Sequence, residues 1–109
     1  MEFEKLWNKI IFNIKNSPRE IQTIPILKNK IGVWFYVYSQ NDEIYISGAT
    51  KNFPVSSIKK HTRISKESFE KTYPIYLRRC NGEKVAHDAQ KASRFQVYIY
   101  SILKNYGEI

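Results

Sequence analysis

A chain of 109 residues with 42% hydrophobic and 15% aromatic side chains can build one core, and that apolar content excludes intrinsic disorder. Lys and Arg outnumber Asp and Glu by 18 to 10, a formal charge of +8 that favours polyanionic partners. The excess is uneven, with seven basic and five acidic side chains in residues 1–54 but eleven and five in residues 55–109.

One cysteine, Cys80, excludes an intramolecular disulfide and fits a reducing compartment. The opening Met-Glu-Phe-Glu-Lys lacks the basic region and apolar core of a signal peptide, and no apolar run approaches the ~18 residues of a membrane span. The expectation is a cytoplasmic protein with no membrane partner, folding as a single basic α+β domain over residues 1–109.

In chain order, Phe3, Leu6, Trp7, Ile10, Ile11 and Ile14 fall at the spacing of one helical stripe and predict an N-terminal amphipathic helix. Ser17-Pro18-Arg19-Glu20 offers a cap, a first-turn proline and a glutamate three after the cap, which predicts a short turn of helix or a simple chain reversal. Ile24-Pro25-Ile26-Leu27 is apolar but holds a proline that cannot donate to a ladder, so it reads as an edge strand.

The clearest pattern lies between Val33 and Ser47. Side chains two apart in a strand share a face, so Val33, Phe35 and Val37 look one way and Trp34, Tyr36 and Tyr38 the other. After the polar turn Gln40-Asn41-Asp42, Ile44 and Ile46 join the aliphatic face and Tyr45 the aromatic one. This hairpin centres a small antiparallel sheet of two to four strands.

Residues 48–64 read as a loop marked by Gly48 and Pro54 and ending in the strongly positive Ile58-Lys59-Lys60-His61-Thr62-Arg63-Ile64, either a short strand or a basic loop. Ser65 caps a helix with Phe69, Tyr73, Leu77 and Cys80 on one side. Pro74 predicts a kink or two short helices meeting at Tyr73-Pro74, and Asn81-Gly82 a stop. A further helical stretch from near Glu83, divisible at Ser93, carries Phe95, Ile99, Ile102, Leu103 and Tyr106 before Gly107. The fold class is α+β, with two or three C-terminal helices.

Two apolar helical surfaces, one at each end of the chain, are expected to cover the two faces of the sheet. In that arrangement Trp34, Tyr36, Tyr38 and Tyr45 are core or half-core residues with polar tips at the rim. In the alternative the aromatic face is open, and bases stack on it at ~1–3 kcal/mol each beside Lys and Arg that hold phosphates.

A second candidate runs from Lys84 to Asn105. Val85-Ala86-His87-Asp88-Ala89, then Ser93, then Gln96-Val97-Tyr98 and Ile102-Leu103 resembles a helix-turn-helix, with Gln90-Lys91-Ala92 where the usual turn glycine would stand. The resemblance implies that Arg94, Gln96 and Tyr98 face the major groove while Lys91, Arg78 and Arg79 meet phosphates. The competing reading is one long packing helix with a solvated basic side.

Gly32-Val33-Trp34, then Tyr45-Ile46-Ser47-Gly48 and Thr50-Lys51-Asn52, is similar to the two strand signatures of the GIY-YIG nuclease family and the residues after them. The match covers roughly a fifth of the chain, with Trp34 and Ser47 replacing a motif tyrosine and glycine. It implies a catalytic arginine where the chain has Pro54-Val55-Ser56-Ser57, with Arg63 displaced from that place, and Glu67 or Glu70 as the metal-binding glutamate.

His61, His87 and Cys80 are too few and too scattered for a structural zinc site, so no metal and no cofactor is expected. Cys80, His87 and Asp88 form a nucleophile-and-base set only on paper, and a buried cysteine with a surface histidine is the expectation. The residues together predict a non-enzymatic nucleic-acid-binding protein, for DNA before RNA. It would grip phosphates with Lys59, Lys60, Arg63, Arg78, Arg79, Lys91 and Arg94, with Gln96 and Tyr98 at the bases. The alternatives are a protein-interaction or inhibitor factor that docks on an acidic or nucleic-acid-binding partner, and a degenerate GIY-YIG-like nuclease. The tyrosine-rich face or the last helix could also serve a homodimer.

Overall fold

The structure, a computed structural model, describes residues 2–24, 31–58, 60–85 and 95–107. The predicted N-terminal helix forms as α1, Phe3–Asn16, with Leu6, Trp7, Ile10, Ile11 and Ile14 buried on one stripe. Four strands follow as an antiparallel meander: β1 (Arg19–Gln22), β2 (Trp34–Gln40), β3 (Glu43–Gly48) and β4 (Thr62–Ile64), in that spatial order. The β2–β3 hairpin turns through Asn41 and Asp42, with φ of 54° and 59°. Two left-handed residues make the tight turn whose twist suits a hairpin, and Asn and Asp tolerate that region best after glycine.

The segment after α1 differs from expectation. No helical turn forms at Ser17–Glu20. Arg19 instead opens β1, which pairs with β2 from Arg19↔Val37 to Gln22↔Trp34. Pairing satisfies the backbone through β2 and places Ile21, 3% exposed, opposite Phe35 on the aliphatic face, which an isolated capping box could not do. β1 is an edge strand of the sheet; of the segment Ile24–Leu27, expected as an edge strand, Ile24 is outside any strand and Pro25, Ile26 and Leu27 lie outside the described residues.

Ser65 caps α2 (Lys66–Cys80) by accepting a hydrogen bond from the Ser68 amide at 3.1 Å. The helix runs unbroken through Pro74 rather than dividing there. The amide that proline lacks would have served the carbonyl of Glu70, and both residues are exposed, so the lost bond falls on the solvent side of the helix rather than in the core. At the far end the Gly82 and Glu83 amides donate to the carbonyls of Arg79 and Arg78, and Gly82 has a φ of +88°, the closure anticipated at Asn81-Gly82. The buried stripe is Phe69, Thr72 and Tyr76 rather than Phe69, Tyr73, Leu77 and Cys80. A polar Thr72 in the core rotates the stripe, and Cys80 is exposed rather than buried.

The last described helix, α3 (Gln96–Tyr106), is buried on nearly all sides, leaving Lys104 and Asn105 exposed. Glu83–Val85 are not helical, and residues 86–94, with His87, Asp88 and Ser93, lie outside the described residues. Ser101 Oγ donates to the carbonyl of Gln22 at 2.6 Å, and Tyr106 Oη to that of Ser17 at 2.8 Å, tying α3 to β1 and to the end of α1.

The three helices among the described residues join one layer. Trp7 of α1 meets Phe69 of α2 edge-on at 5.3 Å, Tyr76 of α2 meets Tyr100 of α3 at 5.4 Å, and Tyr98 of α3 stands edge-on to Phe35 of β2 at 4.9 Å. Phe35, Val37, Ile44 and Ile46 are fully buried under this layer. At ~1.5–3 kcal/mol for each side chain removed from water, that face is where the fold's stability concentrates. The expectation that the terminal helices take opposite faces of the sheet is thus corrected.

Candidate nucleic-acid interface

Because side chains alternate, everything not on the aliphatic face of these strands stands on the other one. Register aligns its rows across the sheet: Gln22 beside Trp34, Glu20 beside Tyr36 and Ser47, and Tyr38 beside Tyr45 and Arg63. Trp34, Tyr36, Tyr38 and Tyr45 are half-buried, and none of them belongs to the core cluster or packs against it. Among the described residues, this face has no helix over it.

The tyrosines are ordered against one another. Tyr36 and Tyr38 stack at 5.7 Å with planes 28° apart, and Tyr38 and Tyr45 at 5.4 Å and 14°. Tyr38 is the middle ring, so Tyr36 and Tyr45 are the rings with a face to offer a ligand. Tyr38 Oη lies 2.6 Å from Nδ1 of His61, whose ring meets the tyrosine edge-on. Burial, with Tyr45 and Tyr36 adding to it, raises the Tyr38 phenol above the usual range.

Two carboxylates share the face, and both are engaged. Glu43 accepts from Arg63 Nη1 at 3.2 Å and from Tyr45 Oη at 3.3 Å. Glu20 accepts from the Thr50, Lys51 and Asn52 amides at 2.8 to 3.1 Å and from Asn52 Nδ2 at 2.9 Å. These bonds, that from Thr50 foremost, hold its carboxyl down at about 2. Glu20 thereby stakes the 49–52 loop beside the strands. A β-carbon on Gly48 would meet the Ile58 carbonyl at 2.9 Å, so glycine lets the chain fold back there. Between the loop and the sheet opens a cleft of about 790 Å³ lined by Glu20, Tyr36, Ser47, Lys51, Asn52 and His61 among others.

The sequence-predicted binding residues divide. Arg63 is exposed on β4 opposite Tyr45, and Lys60 is exposed just before that strand. Arg78 and Arg79 stand in the helical layer: Arg78 pairs with Glu83 at 3.2 Å, and the Arg79 guanidinium lies 4.9 Å from the centre of the Tyr100 ring. Lys59, Lys91 and Arg94 lie outside the described residues. Gln96 and Tyr98, expected at the bases, are instead 7% and 8% exposed inside the core, because α3 is the helix on which the other two and the sheet close. A helix so covered cannot lay its first turn in a groove, which removes these two residues from the interface.

The stretches that resemble the nuclease signatures fall at the head of β2 and along β3. Pro54–Ser57 form no helix; Val55 instead bridges Trp34. Glu67 pairs with Lys71 on α2, and Glu70 is exposed on the same helix. Among the described residues no group of three or more His, Cys, Asp or Glu could hold a metal ion, and no helix is long and apolar enough to cross a membrane.

Sequence reasoning named Glu20 as a capping residue and Ser47, Lys51 and Asn52 in the nuclease-like stretch, but none of them as lining a cleft beside the tyrosines. Their signal becomes readable once β1 is recognised as a strand, since alternation then puts Glu20 in the Tyr36 row. Comparison with protein-family models, with curated proteins and with solved structures found no match for this chain.

Proposed function

We propose that the open face of the sheet binds single-stranded nucleic acid. Bases would rest on Tyr36 and Tyr45 and phosphates run past Lys51, Lys60 and Arg63. The observation that carries this reading is the row of stacked tyrosines, with no helix over it among the described residues, on a protein of formal charge +8. Aromatic rings on a sheet give sequence-tolerant affinity for unstacked bases, and flanking cations hold the backbone. A base that rests on a ring face must first leave its own stack, so these rings suit a single strand better than a duplex. The reading therefore moves the interface from the last helix and the Arg78-Arg79 pair to the sheet.

Photo-crosslinking of a bromouracil-substituted single strand, followed by peptide mass spectrometry, tests it. Adducts are expected on peptides holding Tyr36, Tyr38 or Tyr45. Adducts confined to α2 and α3 would overturn the assignment.

A protein-docking role is the second reading, favoured by Phe53 and Val55, which are 75% and 36% exposed on the loop that bridges to Trp34. Tyrosine and neighbouring apolar side chains are also what protein interfaces enrich. A nucleic-acid binder carries nucleic acid through a low-salt purification and a protein-docking factor does not, which separates the two.

A further inference from the structure

The face is not uniform along its length. At the Tyr45 end it is flanked by exposed Arg63; at the Tyr36 end the staked 49–52 loop raises a wall beside the cleft. We propose that this cleft is a discrete site for one nucleotide as its monophosphate, with the base on Tyr36 and the phosphate toward Lys51 and His61. The proposal rests on the reading of the tyrosine face as a nucleic-acid platform and adds to it that the Tyr36 end receives a single nucleotide unit.

Three features favour that ligand. At about 790 Å³ the cleft falls in the range of small-molecule sites and has room for a base, a sugar and a phosphate. Its aromatic element is Tyr36, whose one ring neighbour among the described residues is Tyr38, so a ring surface remains for a planar group. Its polar elements are of two kinds. Ser47 and Asn52 offer a hydroxyl and an amide carbonyl to base or sugar edges. Lys51, in none of the ion pairs among the described residues, and the His61 imidazole offer donors to an anion. The one carboxylate, Glu20, is saturated by loop amides and so opposes a phosphate less than a free one would.

Calorimetric titration of the full chain with adenosine monophosphate, adenosine and inorganic phosphate, each in turn, tests the site. The monophosphate is expected to bind at least tenfold more tightly than either fragment. Lys51→Glu and the milder Lys51→Ala should each weaken it several-fold, while Tyr45→Ala should leave it within about twofold. No binding of the monophosphate at millimolar concentration, equal affinity for adenosine, or an equal loss in Tyr45→Ala would overturn the proposal. Its failure is distinguishable from that of the platform. A chain that binds a single-stranded oligonucleotide but not the monophosphate lacks the one-nucleotide site. A chain that takes the monophosphate but no oligonucleotide keeps the site and loses the platform.

Discussion

The two faces of one four-stranded sheet are made from the same few residues in alternation, yet they end in opposite environments. On one side Phe35, Val37, Ile44 and Ile46 are wholly buried beneath three helices. On the other, Tyr36, Tyr38 and Tyr45 sit half-buried, stacked on one another, with hydroxyls, a histidine and cations around them. The difference teaches that an aromatic row at strand spacing is not by itself a core. Aliphatic side chains gain only by leaving water, whereas a tyrosine keeps a polar tip and a ring face that remain useful at a surface.

The contrast is tested most severely by truncating one residue from each face. Phe35→Ala should cost about 3–5 kcal/mol by denaturant unfolding, because it opens a cavity where α3 and the sheet meet. Tyr45→Ala should cost about 1 kcal/mol or less in stability, the scale of a cross-strand pair, but about 1–3 kcal/mol of affinity for a single-stranded oligonucleotide. Equal destabilisation by the two substitutions would erase the distinction between the faces.

A smaller effect separates the two groups of cations. Reversing Lys60 and Arg63 together should weaken binding about tenfold and flatten the salt dependence by about 1.4 in log–log slope, from ~0.7 per phosphate contact on a single strand. Reversing Arg78 and Arg79 should change affinity less than threefold, because they belong to the helical layer. The opposite ranking would return the interface to the helices.

The smallest effect concerns the loop that walls the cleft. Glu20 titrates near 4.5 when unfolded and at about 2 in the folded chain, so its stabilising contribution is complete above the unfolded value and is lost as pH falls through about 2. Acid titration of wild-type protein should therefore show loosening of the 49–52 loop, followed by amide resonances of Thr50 and Asn52, only toward pH 2. Glu20→Gln should loosen the loop at neutral pH and remove that acid step.

How far the sequence carried the reading follows from the range of the forces involved. α1, the β2–β3 hairpin, the Ser65 cap and the Asn81-Gly82 stop all rest on interactions within a few residues, and all were legible. β1 was misread because Ser-Pro-Arg-Glu satisfies a local helix-start rule, while its pairing with β2 depends on residues beyond Gly32. The helix-turn-helix resemblance failed at Gln96 and Tyr98 for a related reason: a polar residue at a helix start gives no sign of being buried, and Tyr98 meets Phe35 of a strand some sixty residues away. The aromatic face was legible as a face from alternation alone. Whether it was covered depended on which side three distant helices chose, which no local pattern encodes. Glu20, Lys51 and Asn52 meet across some thirty residues through side chain to backbone bonds, a kind of contact with no periodic signature.

The most direct measurement is fluorescence anisotropy of labelled single-stranded and duplex oligonucleotides with the wild-type chain and with a Tyr36→Ala/Tyr45→Ala variant, at low and moderate salt. The account predicts micromolar or tighter binding of the single strand, weaker binding of the duplex, loss on raising salt, and at least a tenfold loss in the variant while its unfolding midpoint stays close to wild type. Absence of binding at low salt, or binding that the variant leaves unchanged, would contradict it.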